Sequence, residues 1–272
     1  MRYLITEFVK VRKILLLIQI KQINIRFQIL IMRFIPRFYV NRKEFNFILN
    51  SLRPIDNGHQ LIRVGGSADG GYLIPDDLTG VTHCFSAGVA NSWSFEQELL
   101  SLHKIRSTMY DGSITKPMNL EKDLVFHNSF VGTSTGENFI SMFDILNIHL
   151  KDYPSDLIAQ IDIEGSEYSI LHSMSEKDFN RFRIIVIEFH RVDEWIKKSY
   201  YTDVIQPIFE QILKTHTLVH AHENNFSGNF KFRNHQIPMV VELTFHNNRR
   251  AKITGGYRYI PHPLDADNWQ SI

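Results

Sequence analysis

Asp156-Leu-Ile-Ala-Gln-Ile-Asp-Ile-Glu-Gly-Ser-Glu-Tyr168 decides the fold. Leu157, Ile158, Ile161 and Ile163 read as a strand buried in a sheet, and Gly165 lets the chain turn into a helix over Ser166 to Met174. Asp162 and Glu164, two apart, are expected on one face near the strand's carboxyl end. Open α/β sheets bind ligands outside that end, so two carboxylates there mark a site; the competing reading is a solvated strand end. Arg183-Ile-Ile-Val-Ile-Glu-Phe-His190 repeats the pattern and delivers Glu188 and His190 to one face, although a lone strand-end histidine is more often structural.

Working outward, Val81 to Ser86 reads as a strand, followed by the turn Gly88-Val-Ala-Asn91 and a helix for which Ser94 and Gln97 supply a capping-box pattern. Strand, glycine turn and helix together present backbone amides to a nucleotide-like ligand. The next strand, Ile105 to Tyr110, ends in Asp111, a residue type that accepts both ribose hydroxyls of an adenosine moiety. Leu124 to His127 reads as a third strand and Glu137 to Leu150 as an amphipathic helix. Thr202 to Thr215 reads as the helix after the His190 strand. Thr217 to His220 and Val240 to Phe245 close the pattern as antiparallel neighbours, because too few residues separate them for a helical crossover. Leu61-Ile-Arg-Val-Gly-Gly-Ser-Ala-Asp-Gly-Gly-Tyr-Leu-Ile-Pro75 reads either as a hairpin or as close backbone approach to a ligand.

The chain has 272 residues, enough for one α/β domain plus an extension. Its one cysteine, Cys84, excludes an internal disulfide framework and a cysteine-based zinc site, and suits a reducing, cytoplasmic compartment. Residues 1–43 carry ten Lys or Arg against Glu7, leaving 20 basic and 28 acidic residues beyond, a net charge of −8 there. That balance argues against nucleic acid as a partner of the body. Residues 1–50 read as a basic, apolar N-terminal arm whose longest uncharged apolar run, Ile14 to Ile20, is too short to span a bilayer. Peripheral contact between residues 1–43 and an anionic membrane is one reading of the arm, and a poorly ordered extension is the other. Phe45 to Leu52 reads as a short helix closed by Pro54, and residues 51–272 as the main domain.

Beyond residue 60, the chain resembles the FkbM-like branch of the S-adenosylmethionine-dependent methyltransferases. The resemblance rests on Asp69-Gly-Gly-Tyr-Leu-Ile-Pro-Asp-Asp, Cys84-Phe-Ser-Ala-Gly-Val-Ala, Ser94-Phe-Glu, Asp162-Ile-Glu-Gly-Ser-Glu-Tyr, Ile187-Glu-Phe-His, His222-Glu-Asn-Asn and Pro261-His-Pro-Leu-Asp-Ala-Asp-Asn, in that order. It implies an α/β fold with a seven-stranded, Rossmann-like methyltransferase sheet, six strands parallel and one antiparallel, flanked by helices. It also implies S-adenosylmethionine as cofactor, with Gly88 under the methionine end, Asp111 on the ribose, and Asp162 and Glu164 beside the reacting centre. Ala90 stands where a second glycine is usual, and its methyl group is tolerable if φ is negative.

The implied activity is O-methylation of a hydroxyl on a sugar, glycan or secondary metabolite. His190 is the first choice of general base, Glu164 the second, and Glu188 orients either the base or the substrate. Asp69, Tyr72, His222 and Asn224 are assigned to the acceptor, His222 and Asn224 having a hydrogen-bonded turn as their alternative. Asp162, Glu164, Glu188, His190 and His222 also suit a magnesium or manganese ion, but no compact metal-binding spacing occurs, so no metal is assigned. Two other classes compete. A nicotinamide-dependent oxidoreductase shares the glycine turn and Asp111, though Gly88-Val-Ala-Asn-Ser-Trp lacks the full glycine fingerprint. A non-catalytic membrane-surface scaffold is the other.

Overall fold

A computed structural model of the chain describes residues 38–67, 69–115, 117, 119–252 and 255–268. Most of the basic arm, residues 1–37, lies outside the described residues, and with it the expectation of membrane contact. Among the described residues no helix is long and apolar enough to cross a membrane.

Seven strands form the central sheet: β3 (His83–Ala87), β4 (Arg106–Tyr110), β5 (Leu124–His127), β8 (Leu157–Ile161), β9 (Phe182–Phe189), β10 (His216–Glu223) and β13 (Val241–Asn247), in the order β10-β13-β9-β8-β3-β4-β5. Six strands run one way, while β13 pairs antiparallel with both β9 and β10. The mixed α/β sheet, its parallel majority and the closing antiparallel pair agree with expectation. Between β10 and β13 the chain inserts a hairpin, β11 (Asn229–Phe232) and β12 (His235–Pro238), which sequence reading did not foresee.

The period-2 alternation of strand side chains divides the core between the sheet's two faces. Phe85, Ala159, Ile161, Ile185, Ile187 and Phe189 join one buried cluster with Trp195 and Phe209. Cys84, Ile158, Ile184 and Val186 point the other way, packing with Phe95, Leu99, Tyr72 and Ile74. The second face is covered by the helix Ser94–His103 and by the antiparallel hairpin of β1 (Leu61–Val64) and β2 (Tyr72–Pro75). The glycine-rich block is therefore a hairpin, and its turn also lies at the strand ends.

Two local readings require correction. The segment from Glu137 to Leu150 is not one helix. Phe139–Ser141 (β7) pairs with Phe130–Gly132 (β6), and only Met142–Asp144 and the wider turn Ile145–His149 are helical. Ser94 does not cap its helix: Trp93 occupies the cap position with no side-chain bond, and Ser94 Oγ instead accepts from the Gly66 amide at 3.2 Å. The capping box belongs to an earlier helix, Arg42–Ser51, where Asn41 and Glu44 bond reciprocally. Phe45 and Ile48 of that helix are buried in the main core, so the packed unit includes these residues.

Candidate active site

Residues of the Cys84/Ile158/Ile184 face turn polar at the carboxyl ends of the strands. In register across the sheet stand His222 opposite Glu242 and Glu242 opposite Glu188. Gln160 and Ser86 follow on β8 and β3. Because β13 is antiparallel, Glu242 comes from its start and not its end. Strand β8 stops at Ile161, so Asp162 and Glu164 lie just beyond it and not on one strand face. Asp162 is half-buried, whereas the Glu164 side chain is 86% exposed on a backbone with φ of 53°. They still converge: His190 Nε2 lies 3.7 Å from Asp162 Oδ1, 3.3 Å from Glu164 Oε2 and 4.0 Å from Glu188 Oε1.

Behind His190 sits Glu167, fully buried at the start of helix Glu167–Ser173. Its Oε1 accepts from the His190 amide at 2.8 Å and lies 3.5 Å from His190 Nδ1, while its Oε2 accepts from the Gly165 amide at 2.8 Å. Glu167 was part of the quoted motif but received no role. Its position in the first turn of a helix that follows a strand-end glycine was the available signal. Burial opposes charge on His190, but Glu167, Asp162 and Glu188 outweigh it and raise the imidazole pKa to about 9. Asp162 and Glu188 are themselves raised, chiefly by burial, with Glu188 adding to the shift of Asp162. The cluster therefore holds protons at neutral pH.

Strand β3 ends in the turn that the sequence marked. Gly88 has φ of 78°, and a Cβ on it would lie 1.6 Å from the Asp162 carbonyl oxygen. Only glycine allows the turn to touch the adjacent strand end. Ala90 has φ of 44°, so the condition of negative φ is not met and the residue is strained where glycine is usual. What holds it there is Asp111: Oδ2 accepts from the Val89 and Ala90 amides at 3.1 and 2.8 Å, and Oδ1 from the Ser113 amide and hydroxyl at 2.7 and 2.6 Å. Burial works against this carboxylate's charge, but Ser113 and the two turn amides outweigh it and keep the pKa below the usual range. Replacing Ala90 by glycine relieves about 1–2 kcal/mol of left-handed strain, part of which the freer unfolded chain takes back. Ala90→Gly is expected to leave thermal stability equal or higher and affinity for S-adenosylhomocysteine equal or tighter; a tenfold loss of affinity would show that the methyl group makes a favourable contact.

Two cavities meet at this turn and share Gly88, Ala90 and Asp162. One, of about 300 Å³, reaches toward Asp69, Tyr72, Glu96 and Gln160. The other, of about 410 Å³, is walled by Asp111, Ser113, Phe130, Val131 and Glu164. A buried relay lines the first. Burial raises the pKa of Glu96, whose Oε1 is one of two acceptors that the Ser86 hydroxyl can serve. The other is Gln160 Oε1, and Gln160 Nε2 donates to the Tyr72 hydroxyl at 3.2 Å. Burial, with Asp162, Glu242 and Glu188 nearby, keeps Tyr72 protonated.

Asp69 and His222, two of the residues expected at an acceptor, are drawn together by the C-terminal segment, which sequence reading left without a role. Asp265 Oδ1 bonds His220 Nε2 at 2.8 Å, and its Oδ2 lies 3.6 Å from His222 Nδ1. Asn268 Nδ2 donates to Glu242 Oε1 at 2.6 Å and reaches Asp69 Oδ1 at 3.4 Å, while its Oδ1 faces His222 Nε2 at 3.2 Å. Asn224 donates to Glu188 Oε1 at 2.8 Å and also accepts from the Phe226 amide, so it is both a turn residue and part of the site. A further cavity of about 620 Å³ lies between His222, Asp265 and the Ile260–His262 stretch.

A glycine turn at the carboxyl ends of parallel strands, an acid on the next strand and a polar row opposite thus lie together. Residues 144–220, from the helical turn before β8 to the middle of β10, match the family described as Methyltransferase FkbM domain. That segment is similar to the FkbM methyltransferase domain. No curated protein and no solved structure matches it. The matched segment contains Asp162, Glu164, Glu167, Glu188 and His190, so the FkbM match falls on the cluster built above and supports a methyltransferase.

Proposed function

We propose that this FkbM-like chain is an S-adenosylmethionine-dependent methyltransferase with a Rossmann-like sheet, and that it methylates a hydroxyl of a sugar, glycan or small metabolite. The observation that carries this reading is the junction at Gly88, where one turn separates a cavity bearing Asp111 from a cavity bearing Asp69, Gln160 and Asp162. In this reading Phe130, Val131 and Asp111 of the first would hold an adenosine. The methionine end fits the second, where carboxylates suit the ammonium and sulfonium charges. Methyl transfer then needs the acceptor oxygen in line with the sulfur–methyl bond, and the polar row from Asp162 to His222 supplies donors and acceptors to hold a polyhydroxylated molecule there. S-adenosylmethionine, when bound, would supply the methyl group, and His190 in its neutral form, or the exposed Glu164 carboxylate, would take the hydroxyl proton.

Asp111 tests the cofactor half. Asp111→Ala removes the acceptor for the Val89 and Ala90 amides together with the ribose partner. It is expected to weaken S-adenosylhomocysteine binding by about 1.5–3 kcal/mol in a folded protein. Calorimetric titration with unchanged affinity would remove Asp111 from the site.

A further inference from the structure

The geometry points to a divalent-cation site formed by Asp162, Glu188 and His190, of the chemistry that takes Mn²⁺ or Mg²⁺. Its catalytic use rests on the methyltransferase reading, but its detection does not. One donor atom from each of the three residues lies within 4.8 Å of the other two. Nε2 of His190 is 3.7 Å from Asp162 Oδ1 and 4.0 Å from Glu188 Oε1, too far for a hydrogen bond to either. Neighbouring donors around a six-coordinate ion with bonds of about 2.1 Å stand about 3 Å apart, so side-chain rotations of about an ångström close the set. Two oxygens and one imidazole nitrogen suit a hard or borderline ion.

A second, independent feature is the outer shell. An imidazole that ligates a metal through one nitrogen almost always donates its other N–H to a carboxylate, carbonyl or water. His190 Nδ1 is buried without a hydrogen-bond partner, and the carboxylate facing it at 3.5 Å is the fully buried Glu167, already anchored by two backbone amides. Closing that short gap fixes the tautomer that leaves Nε2 as a ligand. Asn224 fixes Glu188 in the same way from behind, at 2.8 Å. Such an ion would bind the acceptor hydroxyl and lower its pKa. The proton would leave to the exposed Glu164 carboxylate, and the resulting alkoxide would take the methyl group from the sulfonium.

The test uses full-length protein stripped with a chelator and titrated with Mn²⁺, the free ion being followed by electron paramagnetic resonance. One Mn²⁺ per chain is expected, displaced by excess Mg²⁺, with affinity reduced at least tenfold in Glu188→Gln and in Asp162→Asn. Both substitutions are near-isosteric, and circular dichroism confirms their fold. No stoichiometric binding at 1 mM Mn²⁺, or wild-type affinity in both variants, overturns the site. Calorimetry with S-adenosylhomocysteine in chelator separates the two readings: cofactor binding without Mn²⁺ binding removes the cation site alone, and Mn²⁺ binding without cofactor binding removes the methyltransferase reading alone.

Discussion

Gly88→Ala is expected to abolish S-adenosylhomocysteine binding and to destabilise the protein by more than about 3 kcal/mol. Two costs combine. The left-handed backbone, φ of 78°, charges any side chain about 1–2 kcal/mol. The added methyl group would also lie 1.6 Å from the Asp162 carbonyl oxygen, a backbone atom of the adjacent strand end that cannot swing aside. Relief requires β3 and β8 to part where the two cavities meet, so the site is lost with the packing. Gly255→Ala is the matched control, since its φ is 83° but an added Cβ meets nothing within 4 Å. Thermal unfolding should show a small shift for Gly255→Ala and a large one for Gly88→Ala. Equal shifts would mean that the strand contact contributes nothing beyond the turn.

His190→Ala is expected to lower kcat by about 10²-fold or more while leaving cofactor affinity within a few-fold of wild type. The imidazole is the point on which Asp162, Glu164, Glu167 and Glu188 converge, so its loss removes proton transfer, and any cation held there, without touching the Asp111 cavity. A base must be neutral to act. Because its neighbours keep the imidazolium up to about pH 9, activity without a divalent cation should climb as pH rises from 7 toward 9. A bound cation displaces that proton and should flatten the rise. A folded His190→Ala protein with near-normal kcat would move the proton to Glu164 or leave positioning alone to drive transfer.

Much of this architecture was legible because strand alternation and glycine turns are local. The apolar runs of β8 and β9 announced Asp162, Glu188 and His190 by ending in them, and all three meet in the structure although Asp162 and His190 lie just beyond the strands. Residues that act across long sequence distances were not legible. Glu242 opens an antiparallel strand, so nothing near it marks a strand end, yet register places it beside Glu188. Asp265 and Asn268 reach the site only because the C-terminal segment crosses back over β10 and β13. The misread helix at Glu137 to Leu150 fails for a different reason: Phe139–Ser141 is recruited by the nearby Phe130–Gly132, and pairing between segments overrides local periodicity. Ala90 shows the reverse case. The family resemblance identified the odd residue, but its strain became visible only with φ of 44° and with Asp111 holding its amide.

The central claim is that the paired cavities at Gly88 bind S-adenosylmethionine, and the most direct measurement is calorimetric titration of the full-length protein with S-adenosylhomocysteine and, separately, with NADH. One S-adenosylhomocysteine per chain, weakened by Asp111→Ala and accompanied by no NADH binding, is the predicted result. NADH binding alone would make the chain an oxidoreductase, and binding of neither would leave a scaffold that keeps the fold without the chemistry.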